Sequence, residues 1–240
     1  MANRINIAMW SGPRNLSTAL MRSFGNRKDI RDVFDEPFYA AYLKATKKEH
    51  PMFQDVIDSQ ETDWRKVIEN CVRTEDDGIC YQKHMVHHLL PNFDKEWVLK
   101  CTNCFLIRKP EQVISSFLEK WPDAKFEDFG FHDQINLFNF IANQTGEIPV
   151  VIDATDLCNH PERSLRRLCN KLKISWDPNM LQWKAGLKPY DGVWATHWYP
   201  SVKSSTNFKK ESGENYYSQL VLSFADQAYD IYSELLKHKL

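Results

Sequence analysis

The sequence has 240 residues, enough for one α/β domain with a sizeable core. Its 31 basic and 32 acidic residues leave a net charge of −1, so no global field draws it to nucleic acid or to an acidic membrane surface. The six cysteines are scattered, and no apolar run reaches the length of a membrane span or of a signal-peptide core, which points to reduced thiols in a cytoplasmic protein.

The first predicted element is a short strand carrying Ile5, Ile7, Ala8 and Met9. It runs into Ser11-Gly12-Pro13-Arg14-Asn15, and a helix opens at once with Ser17-Thr18-Ala19-Leu20. A strand, a small-residue turn with one cation and a hydroxyl-rich helix start gather free N–H groups and the positive end of a helix dipole, which suits a phosphate or sulfate. A second strand is expected over Ile30–Phe34, ending at Asp35-Glu36-Pro37, where proline stops regular pairing. A helix follows from Phe38, then a polar loop over 44–51. Trp64, Val67, Ile68, Cys71 and Val72 fall at helical spacing. Short strands are predicted at Ile79–Tyr81, Trp97–Lys100 and Cys104–Ile107.

Arg108 leaves the last of these strands, and Pro110 suits the first position of the next helix. Ile135, Phe138 and Ile141 mark a further helix that closes near Thr145-Gly146. Val150-Val151-Ile152 reads as a fully buried strand. Pro161 opens a helix with Leu165, Leu168 and Leu172 in register, and a last long helix is expected over Tyr216–Lys237. No repeat, low-complexity tract or linker interrupts the chain, so residues 1–240 are taken as a single domain. Strands alternating with amphipathic helices predict a three-layer α/β fold: a mostly parallel sheet with helices on both faces. Ligands of such sheets sit at the strands' carboxyl ends, which groups Ser11–Thr18, Asp35-Glu36, Lys83-His84, Arg108 and Asp153 at one edge.

The opening turn is not a Walker A loop. Counting from Gly12, Ser17 and Thr18 stand where that pattern needs Gly and Lys, and the turn's cation is Arg14. Arginine offers a planar fork to a phosphate or sulfonate. In the second constellation, Arg108 leaves a strand end, and Ser115 and Ser116 lie about two turns into the following helix, so that a guanidinium and a hydroxyl could hold a second phosphate.

Together the two stretches resemble the P-loop-like sulfotransferases that use 3′-phosphoadenosine 5′-phosphosulfate (PAPS). Pro13, Arg14, Ser17 and Thr18 match that family's Pro-[Lys/Arg]-Ser-Gly-[Thr/Ser]-[Thr/Ser] loop, with Asn15 and Leu16 departing from its Ser-Gly. Arg108, Pro110, Val113 and Ser116 match its Arg-x-Pro-x-x-Val-x-x-Ser element. The wording Ser-Gly-Pro-Arg-Asn-Leu-Ser-Thr-Ala-Leu is similar to a small subgroup also found fused to aminotransferase-like domains. The resemblance implies a P-loop NTPase-like fold, Gly12, Pro13, Arg14, Asn15, Ser17 and Thr18 around the phosphosulfate, and Arg108, Ser115 and Ser116 around the 3′-phosphate. It implies metal-independent transfer of a sulfonate from PAPS to a hydroxyl or amine of a small acceptor. The oligomeric state stays open, and a homodimer is compatible.

Such a transfer needs a proton acceptor. Glu36 lies where some bacterial members place a catalytic glutamate, and Lys83-His84 resembles the segment where eukaryotic members place a histidine base. Glu36 and His84 are both retained, with Arg14, as candidate catalytic residues. The aromatic stretch Trp194–Thr206 corresponds to a loop that covers the cofactor in the family. Competing readings are a zinc site from His84, His87, His88, Cys101 and Cys104, a nucleoside-phosphate kinase-like enzyme, and a non-catalytic nucleotide-binding module.

Overall fold

The computed structural model describes residues 4–210 and 216–240. β1 (Arg4–Ser11), β2 (Ile30–Asp35), β3 (Gly78–Met85), β4 (Thr102–Ile107) and β5 (Val150–Asp153) form one sheet in the order β2-β3-β1-β4-β5, each neighbouring pair parallel. The helices in chain order are α1 (Ser17–Gly25), α2 (Tyr39–Thr46), α3 (Phe53–Ser59), α4 (Trp64–Cys71), α5 (Pro110–Leu118), α6 (Phe131–Thr145), α7 (Ala154–Asn159), α8 (Pro161–Lys171), α9 (Ala195–Trp198), α10 (Pro200–Lys203) and α11 (Gln219–Leu236).

Alternation along each strand splits the core in two. Ile7 and Met9 of β1 pack with Leu20 and Phe24 of α1 and with Leu165 and Leu168 of α8. Ala8 and Trp10 pack on the other face with Phe138 and Ile141 of α6 and Leu235 of α11. Both faces are covered, as a parallel sheet requires. The chain leaves central β1 for edge strand β2, returns to β3, then crosses to β4 on the far side of β1. That reversal opens a crevice at the carboxyl ends of β3, β1 and β4.

Three expectations are corrected. Trp97–Lys100 is not a strand but part of a 3-10 turn, Glu96–Lys100. Consecutive Trp97 and Val98 both enter the same cluster, whereas a strand would send them to opposite faces. Phe53–Ser59 forms α3, which the sequence leaves unmarked because within it Val56 alone is fully buried. The last helix starts at Gln219, where the Ser218 side chain caps it by accepting from the Val221 N–H.

Candidate active site

The turn after β1 is shaped by close approach. A Cβ on Gly12 would lie 2.5 Å from the Phe129 carbonyl oxygen, so a side chain there collides with backbone. Asn15 is 2 % exposed, and its Nδ2 donates to the carbonyls of Gly12 (3.0 Å) and Pro13 (3.1 Å), bracing the turn from within. Arg14 and Leu16 both take left-handed backbone, φ 63° and 64°, where non-glycine residues are uncommon. Leu16, at the position of the family's glycine, holds the glycine-like conformation and caps α1 with no side-chain hydrogen bond. The first turn of α1 therefore keeps its amide donors for another partner.

Those donors open onto a cavity of about 370 Å³ at the strands' carboxyl ends, with Pro13, Arg14, Leu16, Ser17 and Thr18 in its wall. Arg14 Nε donates to Ser116 Oγ at 2.9 Å, and Arg108 Nη1 donates to the Arg14 carbonyl at 3.1 Å. Two stretches about a hundred residues apart are thus joined, and Arg108 and Ser116 face the same space. Burial, and then neighbouring Arg108, hold Arg14 below its ordinary proton affinity against a partial offset from Glu119. Two crowded guanidiniums favour an anion between them. Ser115 lies outside this lining, one step of about 100° earlier round α5 than Ser116. A second cavity of about 300 Å³ adjoins the first, and Leu16, Arg108, Ser201 and Val202 stand in both walls. Phe208, Lys209 and Lys210 also line it.

The other end of the first cavity is built on buried charge. Lys83, 1 % exposed, donates to Asp35 Oδ1 at 2.9 Å, to Glu36 Oε1, and to the Tyr199 hydroxyl at 2.6 Å. Tyr199 in turn donates to the Asp35 carboxylate at 2.8 Å and accepts from Trp194 Nε1 at 3.1 Å. The Gly192 N–H donates to Asp35 Oδ2 at 3.2 Å. This network roots the segment carrying α9 and α10 on the end of β2. Burial raises Glu36 above the usual carboxylate range, only partly opposed by Lys83. Burial alone would strip the Lys83 proton, but Asp35 and Glu36 outweigh it and hold Lys83 well above the ordinary lysine value. A carboxylate of raised proton affinity at a cavity wall is equipped to act as a general base.

The candidacy of His84 is corrected. Alternate residues of β3 face opposite sides of the sheet, so Lys83 faces the cavity and His84 faces away. His84 stacks on Trp10 with ring centroids 4.4 Å apart, bonds to Gln82 Oε1 at 3.0 Å, and is pushed down to about 3 by burial. His50, His87 and His88 line the cavity instead. The zinc alternative does not assemble. Cys104 packs on the α1 side of the sheet and Cys101 on the other, and among the described residues no three His, Cys, Asp or Glu side chains group as metal ligands. Asp153, grouped at this edge by its strand end, caps α7 by accepting from the Asp156 N–H at 3.1 Å and accepts from the Tyr232 hydroxyl at 2.9 Å. The strand-end rule brought Lys83 to the edge of Asp35 and Glu36 without showing that they pair. Tyr199 escaped the sequence reading, and its one signal was the aromatic density of the Trp194–Thr206 stretch.

The family model described as "Sulfotransferase domain" matches residues 5–219. The chain belongs to the sulfotransferase family. Among curated relatives it is 39% identical over 209 residues to branched-chain-amino-acid aminotransferase-like protein 1 of Arabidopsis thaliana. To protein 2 of the same name and plant it is 36% identical over 203 residues. These matches cover 87% and 84% of this sulfotransferase-family chain, which spans just over a third of the relatives' own length (37% and 36%). Among solved structures, mouse sulfotransferase SULT7A1 complexed with PAP superposes with a TM-score of 0.59 at 15% identity, covering 97% of this chain and 88% of that one. A sulfotransferase from Alicyclobacillus acidocaldarius gives 0.54 at 9% identity, covering 100% and 98%. At such identities the superpositions establish the fold. Among the described residues no helix is long and apolar enough to cross a membrane.

Proposed function

We propose that this protein transfers a sulfonate group from PAPS to the hydroxyl or amine of a small acceptor. The observation that carries the reading is the convergence of Arg14, Arg108, Ser116 and the uncapped start of α1 at the junction of two adjoining cavities. A donor with two separated anionic groups and a nucleoside fits two connected compartments with cations at their meeting point. The second cavity, with Phe208, Lys209 and Lys210, suits the nucleoside part, and the first suits the sulfonate and the acceptor. The mouse sulfotransferase is a complex with PAP, which agrees with this donor.

When bound, PAPS supplies an activated sulfonate on a phosphate leaving group. Arg14 and the first-turn amides of α1 stabilise the negative charge that builds on that leaving phosphate, and the backbone holds them in place beforehand. Arg108 and Ser116 orient the nucleotide from the far side. Glu36 takes the acceptor's proton, and Lys83, fixed between Asp35 and Glu36, orients the Glu36 carboxylate towards the cavity. The cavity places acceptor and donor in line and keeps bulk water from competing for the sulfonate. We take residues 1–240 as one domain working in the cytoplasm, where its six cysteines stay reduced.

Calorimetry with 3′-phosphoadenosine 5′-phosphate tests the reading on the wild type, Arg14→Ala and Arg108→Ala. Each truncation should weaken binding by roughly tenfold or more, the cost of one charge-assisted hydrogen-bonding group. Equal affinity in all three proteins, or none in the wild type, overturns it.

A further inference from the structure

The far end of the first cavity distinguishes a hydroxyl acceptor from an amine. Lys83 is one ammonium shared by two carboxylates, Asp35 and Glu36. Lys48 and Asp128, also in the wall, form an ion pair of their own, and Glu119 and Lys120 stand in the same wall. Lys83 is held by Glu36 Oε1, while Oε2 faces His88, whose Nδ1 stands 4.0 Å away. That gap is too long for a hydrogen bond, and a small polar atom set beside the line joining the two can reach both. His88 is 3 % exposed and its ring is held by stacking on Tyr39 (centroids 4.8 Å) and Tyr42 (4.7 Å). Its Nδ1 is buried with no hydrogen-bond partner among the described residues, an uncommon condition that a ligand atom would relieve.

We propose that the acceptor is a primary amine on a small aromatic or apolar carrier, its nitrogen held between Glu36 Oε2 and His88 Nδ1. An ammonium has hydrogens for both atoms, whereas a hydroxyl has one to give. The Glu36 carboxylate attracts a cation, and Trp121 and Trp198 stand in the same wall. Proton counting agrees. An ammonium must lose one proton to expose its lone pair, and Glu36 takes it. The lone pair then forms the N–S bond as the S–O bond to the leaving phosphate breaks, with that bond's electrons passing to the phosphate oxygen. The new nitrogen carries an excess proton made acidic by the sulfonyl group, and His88 takes it, leaving a sulfamate. A hydroxyl acceptor releases a single proton, which Glu36 takes, and leaves His88 no proton to accept.

This inference rests on the sulfotransferase reading, and the experiment separates the two. Protein saturated with 3′-phosphoadenosine 5′-phosphate is titrated calorimetrically at neutral pH with phenethylamine and with phenethyl alcohol, which match in shape. The amine should bind at least about tenfold more tightly, the increment of a charge-assisted contact. Glu36→Gln and His88→Phe should each abolish that preference while nucleotide affinity stays unchanged, which also shows that the variants fold. His88→Asn, whose amide oxygen can stand near the place of Nδ1, should restore part of it. Alcohol binding as tight as amine binding, no amine binding to the nucleotide-loaded protein, or a preference that survives Glu36→Gln overturns the amine proposal alone. Failure of the nucleotide itself to bind overturns the sulfotransferase reading and the amine proposal with it.

Discussion

Replacing Lys83 by methionine isolates the electrostatics of the buried network. Methionine keeps the length and most of the volume of the lysine stem, so no large cavity opens and the change is chiefly one of charge. In the wild type the Lys83 ammonium lies 2.9 Å from Asp35 Oδ1 and also holds Glu36. Without it two carboxylates remain buried side by side with no cation between them. Removing one partner of such a group costs about 3–5 kcal/mol. The cost depends on pH in a definite direction. Burial already raises Glu36, and loss of Lys83, the main opposing influence, raises it further. A carboxyl whose folded proton affinity exceeds its unfolded one contributes stability below its unfolded pKa of about 4.5, and loses that contribution as pH rises through the folded value. Lys83→Met should therefore cost least near about pH 4 and most, the full ~3–5 kcal/mol, near about pH 8. Urea unfolding of both proteins at the two pH values measures this, and Asp35→Asn added to Lys83→Met should recover much of the loss. A cost that is the same at both pH values, or below about 1 kcal/mol at the higher one, refutes the argument.

Three further outcomes are expected. At the left-handed Leu16 the usual ranking of small residues should invert, with Leu16→Gly more stable than Leu16→Ala by about 1 kcal/mol in chemical denaturation, because alanine keeps the backbone strain and glycine does not. Ser116→Ala removes the partner of Arg14 and should weaken binding of 3′-phosphoadenosine 5′-phosphate by roughly fivefold to tenfold, while Ser115→Ala leaves it unchanged; equal effects would contradict the facing of α5. His84→Phe, placed among Trp10, Phe38 and Trp97, should leave the turnover of any accepted substrate and its pH profile intact, and a lost limb of that profile would return His84 to candidacy.

The strand–turn–helix at the start, the parallel order and the meeting of Arg14 with the Arg108–Ser116 stretch were legible because each rests on local pattern: a turn of small residues, alternation of element types, a proline at a helix start. What stayed hidden depended on facing. In a strand buried on both sides, such as β3 with its last seven residues buried, polarity does not alternate, so nothing in Lys83-His84 tells which side chain meets the cavity. Trp97–Lys100 failed for a related reason, since a short apolar run fits a strand or a turn equally. Asn15 and Leu16 departed from the family's loop wording without an evident purpose. In the fold, Asn15 braces the turn from inside and Leu16 adopts the conformation that a glycine would take. Tyr199 showed only as part of the aromatic Trp194–Thr206 stretch, because its link to Asp35 spans 164 positions.

Ser201 and Val202 stand in the walls of both cavities, and Tyr199, two residues earlier, is bonded to the carboxylate at the end of β2. On the proposed function, this shared partition links binding in one compartment to binding in the other. Whatever factor nucleotide binding applies to acceptor affinity, acceptor binding must apply to nucleotide affinity in return. Neither ligand then has a single dissociation constant of its own. Each has one for the empty protein and another for the protein that already holds its counterpart, and the ratio between them measures the coupling across the shared wall.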